Sequence, residues 1–338
     1  MIRVAVVGFG YWGPNLARNF NEVDGAEVAT ICDTRPEALK LARGRFPAAT
    51  LTTSFDEVVT DPRIDAVVIA TPVSTHAPLA IEALRHGKHV LVTKPMAGSA
   101  ADADRIVEEA ERQQRVLLVD HTFVYMGAVR KVSEIVRSGE LGELYYFDSV
   151  RINLGLYQHD VSVVWDLAVH DLSIMDSWIP QQPQAVSCIG VKHLAGHPED
   201  VAYLTVLYED NLIAHVHVNW LSPVKIRRTL LGGSKKMILF DDLDPVEKIK
   251  VYDRGVTPRA EQSVPNLAPL AYRRTGDIWM PHFEMTEALR VEAMHFVDCV
   301  NGRASPQTGG REGARVVRLL EAAEMSMQRY GQLTPLSR

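Results

Sequence analysis

The sequence predicts a chain in two parts: an α/β part over residues 1–122, built on a doubly wound parallel sheet, and an α+β part over residues 123–338 with an open, largely antiparallel sheet. Three observations predict it. In the first third, short apolar runs alternate with amphipathic helical patterns across brief connections. Beyond about residue 140, long β-rich runs follow one another with few helices between them. The chain, at 338 residues, is also too long for one ordinary core and about right for two.

Taken in order, residues 2–7 read as a buried strand, and further strands are expected at 28–32, 66–70, 89–92 and 116–119. Helical periodicity falls between them at 15–21, 36–46, 77–86 and 101–113, with Ser99 placed to cap the last of these. A helix over 129–138 stops at Gly139 and links the two parts. The β-rich runs are 144–154, 185–194, 201–208, 212–220, 225–231 and 236–240, with hairpin signals at Glu209-Asp210-Asn211 and Gly232-Gly233. One amphipathic helix, 163–178, interrupts them, and a proline-rich polar stretch, 257–281, reads as a surface loop before two closing helices at 284–301 and 310–331.

Hydrophobic residues make up 46% of the chain, yet no run reaches 18 consecutive apolar residues and the N-terminus leads directly into the first strand. A globular cytoplasmic protein with no membrane span or signal peptide is expected. Cys32, Cys188 and Cys299 are odd in number and far apart, so they read as buried thiols in a reducing compartment. A net charge of −6 with no basic run argues against nucleic acid as a partner.

The first strand runs into Gly8-Phe9-Gly10-Tyr11-Trp12-Gly13, a G-x-G-x-x-G turn, and the second strand ends at Asp33, about 20 residues past the last glycine. Each part has a job in holding a dinucleotide. Gly8 allows the tight turn, Gly10 lets the backbone approach a pyrophosphate, and Gly13 lets the next helix pack close, its free N–H groups facing the phosphates. Tyr11 and Trp12 either cover the cofactor or simply pack. Residues 1 to about 120 are thus expected to form a nicotinamide-dinucleotide site of the Rossmann type. Asp33 favours NAD, because a 2′-phosphate about 4 Å away would be repelled by on the order of 4 kcal/mol at an effective dielectric near 20. Arg35 can fold over such a phosphate and offset part of that cost, so NADP remains possible.

Further candidates lie where open α/β sheets bind ligands, beyond the carboxyl ends of strands. Thr71-Pro72, with His76 nearby, follows the 66–70 strand, although a proline turn opening a helix explains it equally well. Lys94-Pro95 follows the 89–92 strand; position alone also fits an ordinary surface lysine. His121 and Tyr125 follow the 116–119 strand and are candidates to touch substrate. In the second part, Arg151, Tyr157 and His159 lie on or after the first strand, where alternation leaves inward and outward equally open. Asp166-Leu167-Ala168-Val169-His170-Asp171 places Asp166 and His170 four apart on a helix, a spacing that lets the carboxylate orient the imidazole as a general base. A helix-surface pair explains that spacing too. The remaining histidines have no metal-ligand spacing, and no metal is expected.

The glycine turn with Asp33, the Lys-Pro after the 89–92 strand and Asp-x-x-x-His-Asp ahead of a β-rich region together resemble the Gfo/Idh/MocA family. Val129-Arg130-Lys131 before Gly139-Glu140-Leu141-Gly142, Leu154-Gly155-Leu156 and Glu292-Ala293-Met294-His295-Phe296 look most like its branch acting on UDP-linked N-acetyl sugars. The resemblance implies an NAD(P)-dependent oxidoreductase that interconverts a secondary alcohol and a ketone on a sugar. It implies that Lys94 and His170 flank the reacting carbon, with Asp166 as the partner of His170. It also points to a homodimer or homotetramer, for which the outer face of the second sheet offers apolar residues on strands 202–208 and 213–218. One position departs from the pattern: Thr93 stands where glutamate is usual, giving Thr-Lys-Pro, which can still bond a ribose hydroxyl but carries no charge. A keto-sugar reductase, an inositol or free-sugar dehydrogenase, and an NAD-sensing binding protein remain alternatives.

Overall fold

The computed structural model describes residues 1–155, 161–257 and 272–336. The apolar runs of the first third become β1 (Ile2–Val7), β2 (Ala26–Cys32), β3 (Thr50–Thr52), β4 (Ala66–Ile69), β5 (His89–Thr93) and β6 (Leu117–Asp120). Between them lie α1 (Gly13–Glu22), α2 (Pro36–Arg45), α3 (Phe55–Thr60), α4 (His76–Arg85) and α5 (Ala100–Gln113). The strands are almost wholly buried and β-branched, as a parallel sheet covered on both faces requires. The sheet runs β3-β2-β1-β4-β5-β6, so strand order reverses between β1 and β4. The register pairs Val7 with Cys32 and Ile69, Ile69 with Val92, and Thr93 with Asp120. The residues after those positions, Gly8, Asp33, Thr71, Lys94 and His121, therefore emerge along one edge, where such sheets bind ligands.

β3 and α3 were not expected, since three residues in a strand and six in a helix carry too little periodicity to read. Ser54 caps α3 through the Glu57 amide, and Ser99 caps α5, accepting the Asp102 amide at 3.1 Å.

The β-rich region opens with α6 (Gly127–Arg137) and β7 (Leu144–Ile152). The expected helix over 163–178 forms in two windings, a π-helical stretch at Val164–Ala168 that passes into α7 (Val169–Trp178). Then follow β8 (Pro183–Val191), β9 (Val201–Tyr208), β10 (Ile213–Asn219), β11 (Ile226–Gly233), β12 (Met237–Asp241), β13 (Ile249–Tyr252), β14 (Gly255–Thr257), β15 (Tyr272–Arg274) and β16 (Ile278–Trp279). The chain closes with α8 (Ala288–Val300), α9 (Gly310–Gln328) and β17 (Thr334–Pro335). Nine strands form one sheet in the order β16-β13-β12-β11-β7-β10-β9-β8-β17; β7 and β10 pair in parallel, and the other neighbours are antiparallel. Burial alternates along β7, β9 and β10, giving one inner and one outer face. The β9–β10 hairpin turns through Asp210 and Asn211, both at positive φ (57° and 62°), which these residue types tolerate. Phe147 and Phe240 pack edge-on against Trp178 of α7 at 6.0 and 5.9 Å. Within the expected 257–281 loop, β15 and β16 are short strands, and 258–271 lies outside the described residues.

The chain divides into two units, Met1–Met126 with Thr286–Glu321, and Gly127–Met285 with Ala322–Arg338. The expected boundary at 122 leaves α8 and α9 in the second part, whereas here α8 and most of α9 group with the first unit. The reason is apolar. Leu289, Ala293, Phe296 and Val297 of α8 join Leu16, Phe20 and Val23 in one core cluster, and Phe296 meets Phe20 edge-on at 5.8 Å.

Candidate functional site

The glycine-rich turn separates into positions the fold needs and one that it does not. Gly8 has φ +93°, and a Cβ there would lie 2.5 Å from the Ala70 carbonyl oxygen. At Gly13 a Cβ would lie 2.0 Å from the Gly8 carbonyl oxygen. At Gly10 the nearest atom to a Cβ would be the Arg35 guanidinium at 3.6 Å, an ordinary contact. Among the described residues nothing therefore asks for glycine at Gly10. Close approach by a group from outside does, and that is the fit expected for a pyrophosphate beside the amino end of α1.

Asp33, at the end of β2, is buried, and its Oδ2 accepts the Phe9 amide of the turn at 2.7 Å. Arg35 binds both carboxylate oxygens, Nε to Oδ1 at 3.0 Å and Nη2 to Oδ2 at 2.9 Å, while its own amide also donates to Oδ1. Burial acts to raise the Asp33 pKa, but the bonds from Arg35 and Phe9 hold it below the usual carboxylate range. The two residues expected to compete over cofactor choice are thus joined in one fork, with Asp33 inside and Arg35 half exposed.

Along the same edge, Thr71 and the residues around Lys94 are tied together by His76. This buried imidazole places Nδ1 2.9 Å from the Pro95 carbonyl and Nε2 2.9 Å from the Thr71 carbonyl. The buried Thr93 hydroxyl lies 3.4 Å from the same Nε2. Desolvation pushes the His76 pKa down; a neutral ring donates to one of these carbonyls, while its other nitrogen can accept the Thr93 hydroxyl. His76 is therefore a brace for the Lys94 segment. The Lys94-Pro95 bond is cis. Pro72 starts the turn before α4, and Tyr11 is exposed and stacked on Trp12.

After β6, His121 is buried, and neither ring nitrogen has a hydrogen-bond partner among the described residues. Burial, helped by the charge of Lys94, pushes its pKa down to about 3, so it stays neutral beside that ammonium. Tyr125 is placed differently from expectation: its hydroxyl meets Thr308 Oγ1 at 2.9 Å, its ring packs on His295, and burial raises its pKa. It is a core residue. Two residues outside the expected site stand here as well. Asp120 accepts the Trp12 indole N–H and the Thr122 hydroxyl, and Glu292 of α8 faces Asp120. A lone glutamate on the apolar face of an amphipathic pattern was the one legible sign of Glu292.

In the second unit, Asp166 lies in the π winding at Val164–Ala168 and His170 in the first turn of α7, so the pair expected at four-residue spacing spans the junction of the two windings. The Asp166 carboxylate accepts the Trp220 indole N–H at 3.2 Å, and Asp166 and His170 are both half-buried. Arg151 is inward-facing and wholly buried. It binds Asp171, the residue after His170, through Nε at 2.6 Å and Nη2 at 3.3 Å. Ser149 donates to Asp171 at 2.7 Å and also meets Thr229 at 3.0 Å, completing the carboxylate's shell. Arg151 was expected at the substrate; in the structure it fastens the start of α7 to β7. Tyr157 and His159 lie outside the described residues. Among the described residues no group of three or more His, Cys, Asp or Glu side chains is placed to hold a metal.

Residues 2–121 match the GFO/IDH/MocA model described as an oxidoreductase family with an NAD-binding Rossmann fold, and residues 129–239 match the GFO/IDH/MocA C-terminal domain. A D-apiose dehydrogenase from Paraburkholderia graminis is 25% identical over 337 residues, covering 95% of this chain and 86% of its own length. A myo-inositol 2-dehydrogenase from Thermotoga maritima is 25% identical over 185 residues, 51% of this chain and 53% of its own. The WlbA dehydrogenase from Bordetella pertussis, solved with NADH and UDP-GlcNAcA, shares the fold with a TM-score of 0.81 at 21% identity, covering 100% of this chain and 99% of that one. A glycine turn left open at Gly10, a buried acid closing β2, a lysine at the ligand edge and matches in succession to both domains agree: the chain belongs to the GFO/IDH/MocA oxidoreductase family and carries its NAD-binding Rossmann domain.

Proposed function

We propose that this NAD-dependent oxidoreductase interconverts a secondary alcohol and a ketone on a nucleotide-linked sugar, with NADP as an alternative cofactor. One observation carries the reading: Lys94 stands at the ligand edge beside His121, a buried imidazole that its surroundings keep neutral. When bound, the nicotinamide supplies or accepts the hydride. The chain's own residues handle the proton and the charge. His170 takes the hydroxyl proton as general base, and the Lys94 ammonium stabilises negative charge developing on the substrate oxygen. Asp166 and the Arg151–Asp171 pair hold the helix that presents His170. Gly8, Gly10, Gly13 and the amino end of α1 receive the pyrophosphate, Asp33 with Arg35 receives the adenosine ribose, and Thr71, Pro72, His76 and Thr93 shape the nicotinamide end. The relatives named for D-apiose and myo-inositol support a sugar or polyol substrate, and they keep a free sugar or inositol as the second reading.

Nicotinamide fluorescence of the purified protein, read against UDP-sugars, free sugars and inositols, tests this. Turnover of a UDP-sugar is expected; turnover of free sugars or inositols alone would transfer the assignment to them, and none at all would favour an NAD sensor. His170→Ala should lower turnover by roughly 10²- to 10⁴-fold with NAD affinity little changed. Near-normal turnover in that variant would remove His170 from the mechanism.

The same reading includes self-association through the outer face of the nine-stranded sheet. Ile189, Val191, Tyr203 and Ile213 are exposed there, and the Tyr203 ring stacks on His217 at 4.4 Å. Light scattering should return a multiple of 37.6 kDa, and a monomer would show that water covers this face. No described helix is long and apolar enough to cross a membrane. Cys32, Cys188 and Cys299 are free and buried, which supports a cytoplasmic location.

A further inference from the structure

Glu292, on α8 of the first unit, is 1% exposed, and neither of its carboxyl oxygens meets a hydrogen-bond donor at ordinary distance among the described residues. The charged group facing it is Asp120 at the end of β6. Tyr125, from the turn after β6, is the other titratable side chain that senses it, and Cys299 of α8 adjoins Tyr125. Asp120 is also buried, but it is well served: Oδ2 accepts the Trp12 indole N–H and Oδ1 the Thr122 hydroxyl. Two facing carboxylates in a water-poor interior do not both ionise. The hydrogen-bond donors serve Asp120, so the proton is kept by the acid that has none among the described residues, Glu292. Burial and the charge of Asp120 act together to push Glu292 well above the usual carboxylate range.

We propose that Glu292 is a positioning residue of the dinucleotide site: as a neutral acid it directs its proton at Asp120, and the single shared negative charge holds the indole of Trp12 and with it the glycine-rich turn. Asp120 has lone pairs to spare for that third donor, since each carboxylate oxygen accepts more than one bond. The chain of contacts, α8 to β6 to the turn, lies within one unit. The proposal rests on the assignment of the turn to NAD and deepens it.

The test measures NADH binding in the full-length wild type, Glu292→Gln, Glu292→Leu, Trp12→Phe and the Glu292→Leu/Trp12→Phe double variant, together with infrared spectra of the wild type and Glu292→Gln without dinucleotide. A protonated-carboxyl band at neutral pH should be present in the wild type and lost in Glu292→Gln. Glutamine keeps a neutral donor, so NADH should bind within about 3-fold of wild type. Leucine removes the donor without adding a buried polar atom, so binding should weaken by about 10-fold, as in Trp12→Phe, and the double variant should be no worse than either alone. Absence of the band, wild-type binding in Glu292→Leu, or additive losses in the double variant would each overturn the proposal. If Glu292→Leu does not fold, the band and the glutamine variant still decide the matter. A wild type that shows the band but binds no NADH would overturn the assignment of the turn and this role with it, whereas additive losses leave that assignment intact.

Discussion

The glycine turn of the first unit and the start of α7 in the second both carry candidate site residues, but they are specified differently. In the turn the constraint is backbone: a positive φ at Gly8 and a contact at Gly13 that no Cβ survives. At the helix it lies in side chains from two strands: Arg151 and Ser149 of β7 bind Asp171, and Thr229 of β11 meets Ser149. The first kind of constraint is written at fixed spacing in one short stretch; the second is scattered over 80 residues, from Ser149 to Thr229, and exists only after folding. Gly13→Ala against Gly10→Ala is the strongest way to test the first half of this comparison. With a Cβ 2.0 Å from a carbonyl oxygen, Gly13→Ala should lose about 4 kcal/mol or more of stability. Gly10→Ala has room and should stay within about 1 kcal/mol of wild type, yet bind NADH about 10-fold or more weakly, because the added methyl stands where the ligand approaches. Urea denaturation and NADH titration separate the two, and equal stability losses would show that Gly10 serves the fold.

The side-chain half is tested at the buried ion pair. Arg151→Ala leaves the Asp171 carboxylate buried with the Ser149 hydroxyl as its remaining side-chain donor among the described residues and should cost about 3–4 kcal/mol. Replacing the pair together, Arg151→Met with Asp171→Leu, should recover most of that stability, since similar volumes of apolar side chain pack there without desolvation. If the pair exists to fix the start of α7, the double variant will fold and still turn over substrate poorly. Recovery of both stability and turnover would reduce the pair to a dispensable packing element.

The same contrast explains how much could be read in advance. The parallel sheet, its glycine turn, Asp33 and Lys94 were legible because strand alternation and fixed spacing are local signals. The return of α8 to the first unit was not, because Phe296 against Phe20 is a contact between residues far apart in sequence. The expected Asp166–His170 spacing assumed an α-helix throughout, and periodicity gave no sign that Asp166 falls in a π-helical stretch. Arg151 and Tyr125 had the right residue types beside the right strands, but alternation fixes only which face a side chain takes. It does not say whether a buried partner such as Asp171 or Thr308 is already there. Asp120 and Glu292 escaped for the complementary reason: their role depends on facing each other.

A smaller effect is expected at Arg35, which binds Asp33 at its half-exposed side. Arg35→Ala would bare the Asp33 carboxylate to the ribose and remove the only cation bonded to it among the described residues. NAD binding should change by a few-fold at most, while NADP should lose about 10-fold relative to NAD. Dissociation constants for both cofactors read this directly, and an unchanged ratio would mean that Arg35 does not face the 2′ position.

The mildest prediction concerns pH, where two buried groups of the first unit act in opposite directions. His121 has its folded pKa pushed down to about 3, against about 6.5 in the unfolded chain. The unfolded chain therefore takes up a proton below about pH 6.5 that the folded one refuses, so this contribution is complete above that pH and is lost as pH falls toward 3. Glu292 has its folded pKa raised, so the unfolded chain releases a proton above about pH 4.3 that the folded one keeps. Its contribution is complete below that pH and is lost as pH rises through its folded value. Each group alone gives a slope of at most about 1.4 kcal/mol per pH unit. Where both act, between about pH 4.3 and 6.5, they cancel and stability should be nearly flat with respect to these two. His121→Leu should then unmask the falling limb of Glu292 across that window, and Glu292→Gln should unmask the rising limb of His121. Urea midpoints measured across the window would show slopes of opposite sign in the two variants. Parallel slopes would mean that one of the two groups does not titrate as its surroundings dictate.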